Sequence, residues 1–135
     1  MNDAAVGPAE LLGLWAVDHG FHSVMEDELI VFRPDGSGWC EYQRPWYRVR
    51  TNFRWRLAGD ALLHVKANLE VVTDEHASPP QREHAIDVDE TVRVAITVGT
   101  RPLLEHPVRE LSVELSFNLG APFAFVAAEE SALDA

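Results

Sequence analysis

The most regular pattern in the chain is an alternation of apolar and polar residues over 47–57. Tyr47, Phe53 and Trp55 lie at odd positions of this segment, and four arginines occupy even positions. Successive side chains of a β-strand point to opposite faces, so the alternation predicts a half-buried strand with aromatic rings on one face. We expect the rings to point into the protein interior and the arginines to point into water.

Related apolar patterns predict the other strands. They cover 14–17, 28–33, 39–42, 62–73, 84–98, 110–117 and 123–126, with turn residues or prolines between them. In 62–73 the alternation puts Leu69 on the apolar face and Glu70 on the polar face. Proline at position 8 starts one helical turn over 8–12, and Gly13 ends it. Residues 1–8 and 129–135 are expected to be loose ends.

The pattern as a whole predicts an all-β fold in a single domain spanning 1–135. About eight strands at hairpin spacing, after a short N-terminal helical turn, are typical of an antiparallel meander β-barrel or of a two-sheet sandwich. We favour the barrel, because closure removes the exposed edge strands. A chain of 135 residues is long enough to bury a substantial core.

The net charge of −11 argues against nucleic acid and against anionic membrane surfaces as partners, because both repel an acidic protein. No apolar run approaches the roughly 20 residues that span a bilayer. The N-terminal residues lack the pattern of a secretory signal, so we expect a cytoplasmic protein. Cys40 is the only cysteine, which excludes an intrachain disulfide and indicates a packing residue.

Three segments carry a resemblance to a known family. They are Gly13-Leu14-Trp15, Leu29-x-Val31-Phe32-x-x-Asp35-Gly36-x-Gly38 and Phe53-x-Trp55-x-x-x-Gly59-Asp60-x-Leu62. They resemble lipocalin-like (calycin-type) small bacterial β-barrel domains. The resemblance implies that Gly13 and Trp15 close one end of the barrel and that an arginine near a late strand, here Arg109, packs across Trp15. The Thr-Asp-Tyr signature of longer lipocalins is missing, since Glu75 follows Thr73-Asp74.

Aromatic residues are the candidate ligand-binding residues. They are Phe53, Trp55, Tyr47, Tyr42, Trp39 and Phe117. Large rings around a barrel interior would bind a small, largely apolar molecule, and a tyrosine hydroxyl would orient it. The alternative is that a barrel of about eight strands is filled by its own side chains.

The arginines of the same segment are candidate contacts for an anion or a partner. Arg48, Arg50, Arg54 and Arg56 could bind carboxylates or phosphates through their guanidinium groups. The alternative is a solvated stripe that pairs with acids of neighbouring strands, namely Glu70, Glu110 and Glu114.

Other chemistry is weakly indicated. His19 and His22 lie close to Asp18, but a loop without further spaced ligands does not predict a metal site. The acids at 26–28 and 87–90 are expected to be solvated. No catalytic motif occurs in the chain, and no cofactor is predicted.

The leading hypothesis is non-enzymatic binding of a small, largely apolar molecule in an aromatic-lined barrel cavity. One alternative is an acidic protein-interaction module, including a homodimer, that uses the arginine-rich strand or the acidic surface. Another is a small barrel enzyme of secondary metabolism, a cyclase or isomerase, which needs a buried acid or histidine beside the aromatic wall.

Overall fold

The structure, a computed structural model, describes residues 6–21 and 25–129. This part of the chain contains one short helix, α1 (Pro8–Leu11), and nine strands: β1 (Gly13–Ala16), β2 (Asp27–Phe32), β3 (Ser37–Arg44), β4 (Tyr47–Gly59), β5 (Leu62–Asp74), β6 (Gln81–Arg93), β7 (Ala95–Gly99), β8 (Val108–Ser112) and β9 (Phe123–Ala127). His22 lies outside the described residues, and so do 1–5 and 130–135 of the expected loose ends at 1–8 and 129–135. The expectation is wrong for 6–8, because Val6 is buried in the core and Pro8 begins α1.

All nine strands form one antiparallel sheet, in the order β6-β5-β4-β3-β2-β1-β9-β8-β7. The sheet has nine strands where about eight are expected, because the predicted strand 84–98 is divided at Val94 into β6 and β7. These two strands form opposite edges of the sheet. No ladder joins them within the described residues, so the sheet is not closed in the way that the barrel prediction required.

Val94 nevertheless brings the two edges together. It is the single residue between β6 and β7, so the ends of the edge strands lie within about 7 Å of each other at this point. Its side chain is buried, and its backbone N–H donates a hydrogen bond of 2.9 Å to the carbonyl of Ala61. The sheet therefore coils around its own interior, although hydrogen bonds do not close it.

The coiled sheet encloses one large apolar cluster. Its buried members are Val6, Leu11, Trp15, Ile30, Phe32, Cys40, Phe53, Trp55, Leu63, Val65, Ala67, Val94, Leu111, Val113, Leu115 and Phe123. Trp15 is fully buried, and its Nε1 donates a hydrogen bond of 2.9 Å to the Leu11 carbonyl at the end of α1. The Arg109 guanidinium lies 5.6 Å from the Trp15 ring centroid. Trp15 is thus a fixed, fully bonded part of the core.

Strand β4 has the two faces that its alternation predicts. Phe53 and Trp55 are buried in the interior cluster, whereas Arg54 and Arg56 are exposed. The indole Nε1 of Trp55 donates to the carbonyls of Arg33 and Ser37, at 3.1 Å each. The aromatic side of β4 therefore faces inward.

A second apolar cluster covers the opposite face of β1, β2 and β3. It consists of Leu14, Ala16, Leu29, Val31 and Trp39. Strand β2 consequently buries both of its faces, which explains its uninterrupted apolar run from Leu29 to Phe32.

The register of β5 shifts between Ala67 and Leu69. After the shift, Leu69 lies opposite Asn52 and Glu70 lies opposite Thr51. Directly opposed residues project to the same side of a sheet, and Thr51 is buried on the inner side. The prediction that Glu70 faces outward is therefore wrong, because a one-residue shift exchanges the two faces of a strand.

The predicted strand 110–117 also differs from the structure, because β8 ends at Ser112. Beyond it, the side chain of Asn118 accepts a hydrogen bond from the Leu115 amide at 2.6 Å and donates to the carbonyls of Val113 and Gly120. These local bonds compete with a strand ladder and favour a turn.

The segment after β8 crosses to the far edge of the sheet. The amide and hydroxyl of Ser116 donate to Oε2 of Glu90 on β6, at 3.0 and 2.7 Å. This crossing segment lies over the gap between the two edges and forms one wall of the interior.

Candidate functional site

One end of the sheet interior contains a hollow. A cavity of about 520 Å³ lies at the end where the turn between β3 and β4 is located. It is lined by Glu28, Cys40, Tyr42, Arg44, Tyr47, Val49, Thr51, Glu70, Ile86, Val88, Ser116, Phe117 and Leu119. The other end of the interior is filled by rings, since Phe32 packs at 5.7 Å from Phe53 and at 5.3 Å from Trp55.

The wall of the cavity is mainly apolar. Val49 on β4 and Ile86 and Val88 on β6 form one side, and Phe117 of the crossing segment forms another. The Phe117 ring lies 5.9 Å from the Phe53 ring, which belongs to the packed end. Phe117 therefore separates the filled part of the interior from the hollow part.

Glu28 is a buried carboxylate on this wall. It is 4% exposed, and its oxygens accept hydrogen bonds from the backbone amides of Leu119 and Gly120 at 2.6 to 3.0 Å. The Cys40 thiol is a third donor, at 3.6 Å. The expectation that Glu28 is solvated is wrong: it lies on the inward face of β2, where it anchors the segment 118–120.

The Cys40 thiol has low reactivity in this environment. Burial raises the pKa of the Cys40 thiol well above its usual value, and the neighbouring carboxylate of Glu28 raises it further. A thiol held in its neutral form is a poor nucleophile and a poor metal ligand. The structure therefore agrees with a packing role for Cys40.

Two tyrosines line the mouth of the cavity. The Tyr42 hydroxyl donates a hydrogen bond of 2.5 Å to Glu26, and this bond raises the pKa of Tyr42. The Tyr47 ring is covered by the guanidinium of Arg44, whose central carbon lies 4.4 Å from the ring centroid. Both hydroxyl-bearing rings thus stand where a ligand would enter.

Glu70 is the acid that the register shift turns toward the cavity. It is half-buried, and its cross-strand neighbours are Thr51 and His84. Within the described residues it forms no ion pair. Its carboxylate is therefore available to a molecule in the cavity.

The structure divides the six predicted ligand-binding aromatics into three groups. Tyr42, Tyr47 and Phe117 line the cavity. Phe53 and Trp55 belong to the packed end, where their rings contact Phe32. Trp39 lies in the cluster on the opposite face of the sheet, so it does not reach the cavity.

The four predicted arginine contacts do not act as one stripe. Arg50 forms an ion pair with Glu41 at 3.0 Å and covers the Trp39 ring at 3.9 Å. Arg54 donates to the Asp35 carbonyl at 3.1 Å. Arg48 lies beside a shallow hollow of about 400 Å³ near the turn between β3 and β4, and Arg56 is exposed.

A groove of about 650 Å³ is a further depression in the protein. Its basic side chains are Arg33, Arg54 and Lys66. Lys66 lies 4.0 Å from Asp89, and Asp87 also lines the groove. Acids therefore lie close to these cations, as expected if the arginine-rich strand is a solvated stripe that pairs with acids of neighbouring strands. The acids in the groove are not the predicted Glu70, Glu110 and Glu114.

The sequence analysis did not identify three residues that are important in the structure, namely Glu28, Glu70 and Arg101. The alternation Glu28-x-Ile30-x-Phe32 could have indicated that Glu28 faces the core. Glu70 had no such signal, because it depends on a register shift. Arg101 is 3% exposed and binds three backbone carbonyls, yet it lies in a loop sequence without any periodic pattern.

No group of three or more potential metal ligands occurs among the described residues. No helix in this part of the chain is both long enough and apolar enough to cross a membrane.

Comparison of the chain with protein-family models, with curated proteins and with solved structures finds no match. Functional inference therefore depends on the cavity itself.

Proposed function

We propose that the protein binds a small, largely apolar molecule in the interior cavity, and that its coiled sheet serves as a lipocalin-like barrel. The observation that carries this proposal is the cavity of about 520 Å³ inside the coiled sheet. Ligand sites usually measure roughly 300 to 1,000 Å³ and combine apolar walls with a few polar groups. A protein that needed only a stable core would fill this space.

The lining supports the same proposal. Phe117, Tyr42 and Tyr47 provide ring surface, and the last two add hydroxyl groups at the mouth. Aromatic walls bury an apolar ligand with little loss of side-chain entropy, because a ring has few rotatable bonds.

The alternative of a small barrel enzyme depends on whether a buried acid in the cavity is free to act on a substrate. Glu28 is a buried acid beside an aromatic wall, as a barrel cyclase or isomerase would need. Its oxygens already accept hydrogen bonds from two backbone amides and the Cys40 thiol. This arrangement favours an anchoring role, and so favours binding over catalysis.

The proposal is tested by filling the cavity. In Val49→Phe the larger side chain enters the hollow, and we expect the affinity for 1-naphthylmethanol to fall by about tenfold or more, which corresponds to about 1.4 kcal/mol. The measurement is isothermal titration calorimetry. Val98→Phe is the matched control, because Val98 is 71% exposed on β7.

Equal affinities in the two variants, or no binding to the unaltered protein, would rule out the cavity as a ligand site. Native mass spectrometry of protein purified from its source gives a second readout. We expect a co-purified small molecule that is lost in Val49→Phe and retained in Val98→Phe.

A further inference from the structure

We infer that the molecule bound in the cavity is an organic cation, a protonated amine on an apolar body, with Glu70 as its counter-ion. This inference rests on the proposed function, because it concerns the ligand of the same cavity. It goes beyond that function by naming the charge of the ligand and the residue that recognises it.

The position of Glu70 is the first support. The register shift of β5 turns this acid from the solvent side to the cavity wall, next to the buried Thr51. A half-buried carboxylate interacts with a cation more strongly than an exposed one, because less water screens the pair. Glu70 forms no ion pair with any described residue, so this interaction is open to a ligand.

The charge of the surrounding walls is the second support. Glu28 and Glu70 are the acids of the cavity lining, and Arg44 is its one basic residue among the described part of the chain. An adjoining hollow of about 340 Å³ shares Glu28, Tyr42 and Leu119 with the cavity. This hollow is lined by three further acids, Asp18, Glu26 and Asp27, and no basic side chain is found among its lining residues.

The effect of this environment is visible at Asp27. Burial is the main cause that raises its pKa, and the charge of Asp18 adds to the effect. A cation that approaches carboxylates in such surroundings stabilises their charged form and so lowers the free energy of the complex. An organic anion would experience the opposite effect.

The aromatic mouth is the third support. The Tyr47 ring already holds one cationic group, the guanidinium of Arg44, against its face. Electron-rich ring faces attract ammonium groups as well as guanidinium groups. The cavity lining thus offers aromatic ring surface of a kind that attracts cations, together with the Glu70 carboxylate.

The net charge of the whole protein also favours a cationic ligand. A net charge of −11 attracts cations to the protein and repels anions. The basic groove on the outer surface does not reverse this, since Asp87 lies in it and Asp89 lies beside Lys66.

The test compares three probes with the same ring and different charge. They are 1-naphthylmethylammonium, 1-naphthylmethanol and 1-naphthoate, measured by isothermal titration calorimetry in about 0.15 M salt, where long-range surface charge is screened. We expect the cation to bind about tenfold more tightly than the alcohol, and the carboxylate to bind more weakly than both.

Two variants assign the preference to Glu70. Glu70→Gln should reduce the ratio of cation to alcohol affinity to about one. Glu83→Gln removes the same charge from an exposed position on β6 and should leave the ratio unchanged. Circular dichroism confirms that both variants keep the β-rich fold.

The outcomes separate the two proposals. If the alcohol binds but the cation has no advantage, or if Glu70→Gln keeps the advantage, the inference about the ligand is overturned while cavity binding stands. If none of the three probes binds, the proposed function and this inference fail together.

Discussion

Glu28 and Cys40 show how strongly a tertiary environment changes single residues. Glu28 lies in a run of three acids that sequence alone assigns to solvent, yet it is 4% exposed and anchors a loop segment about 90 residues later in the chain. Cys40 donates to the same carboxylate. The exposure of Glu28 and the pKa of the Cys40 thiol therefore depend on the groups packed around them, and residue type alone does not predict them.

The raised pKa of Cys40 leads to a prediction about reactivity. Since the raised pKa keeps the thiol protonated, and burial limits access, we expect native protein at pH 8 to react with iodoacetamide at least about a hundredfold more slowly than the urea-unfolded chain. Mass spectrometry of timed samples measures both rates. Comparable rates would show that the thiol is accessible and ionised.

At the scale of elements, the loops at one end of the sheet are joined by Arg101. Its guanidinium pairs with Glu110 at 2.8 Å and donates to the carbonyls of Val17, His19 and Pro122. The Phe21 ring lies 4.4 Å from the guanidinium carbon. One buried side chain therefore connects the loop after β1, the strand β8 and the start of β9.

Replacing this arginine should destabilise the fold. We expect Arg101→Met to lower the free energy of unfolding by about 3 to 5 kcal/mol, because Glu110 and three carbonyls lose their donor. Urea denaturation followed by fluorescence measures the change. Arg82→Met, at an exposed position on β6, should change stability by less than about 0.5 kcal/mol. A similar small change for both variants would contradict the connecting role of Arg101.

The alternation rule predicts elements only as far as their ladders are regular. It assigned the inward face of β4 correctly, because period-two side-chain direction is a local steric property of a strand. It failed at Glu70, where β5 changes register against its two neighbours. It also failed at Val94, because nothing in an unbroken β-pattern marks the residue at which a chain leaves one sheet edge for the other.

At the scale of the whole molecule, the sheet keeps two edges. The strand β6 is a 13-residue edge and is exposed along much of its length. Long exposed edges invite pairing with other chains unless charged residues prevent it. Glu83, Asp87, Asp89 and Glu90 supply such charge on β6.

Removing charge from this edge should promote self-association. We expect the double variant Glu83→Val with Asp87→Val to form larger species than the unaltered protein, as measured by size-exclusion chromatography with light scattering. The control removes two exposed acids away from the edge, with Asp60→Val and Glu105→Val. An unchanged mass for the edge variant would show that these acids do not protect β6.

The same measurement tests the alternative of a protein-interaction module. A homodimer of the unaltered protein that dissociates in high salt would support that alternative.

The sequence by itself determined the all-β class, the antiparallel hairpins, the single N-terminal helical turn and the side of β4 that is buried. These follow from side-chain alternation and turn chemistry, which act between residues close together in the chain. The tertiary structure alone decided the division at Val94, the open edges, the inward turn of Glu70 and the hollow at one end of the interior. Register and cavity volume depend on how distant strands meet, and that information is not present in any one segment.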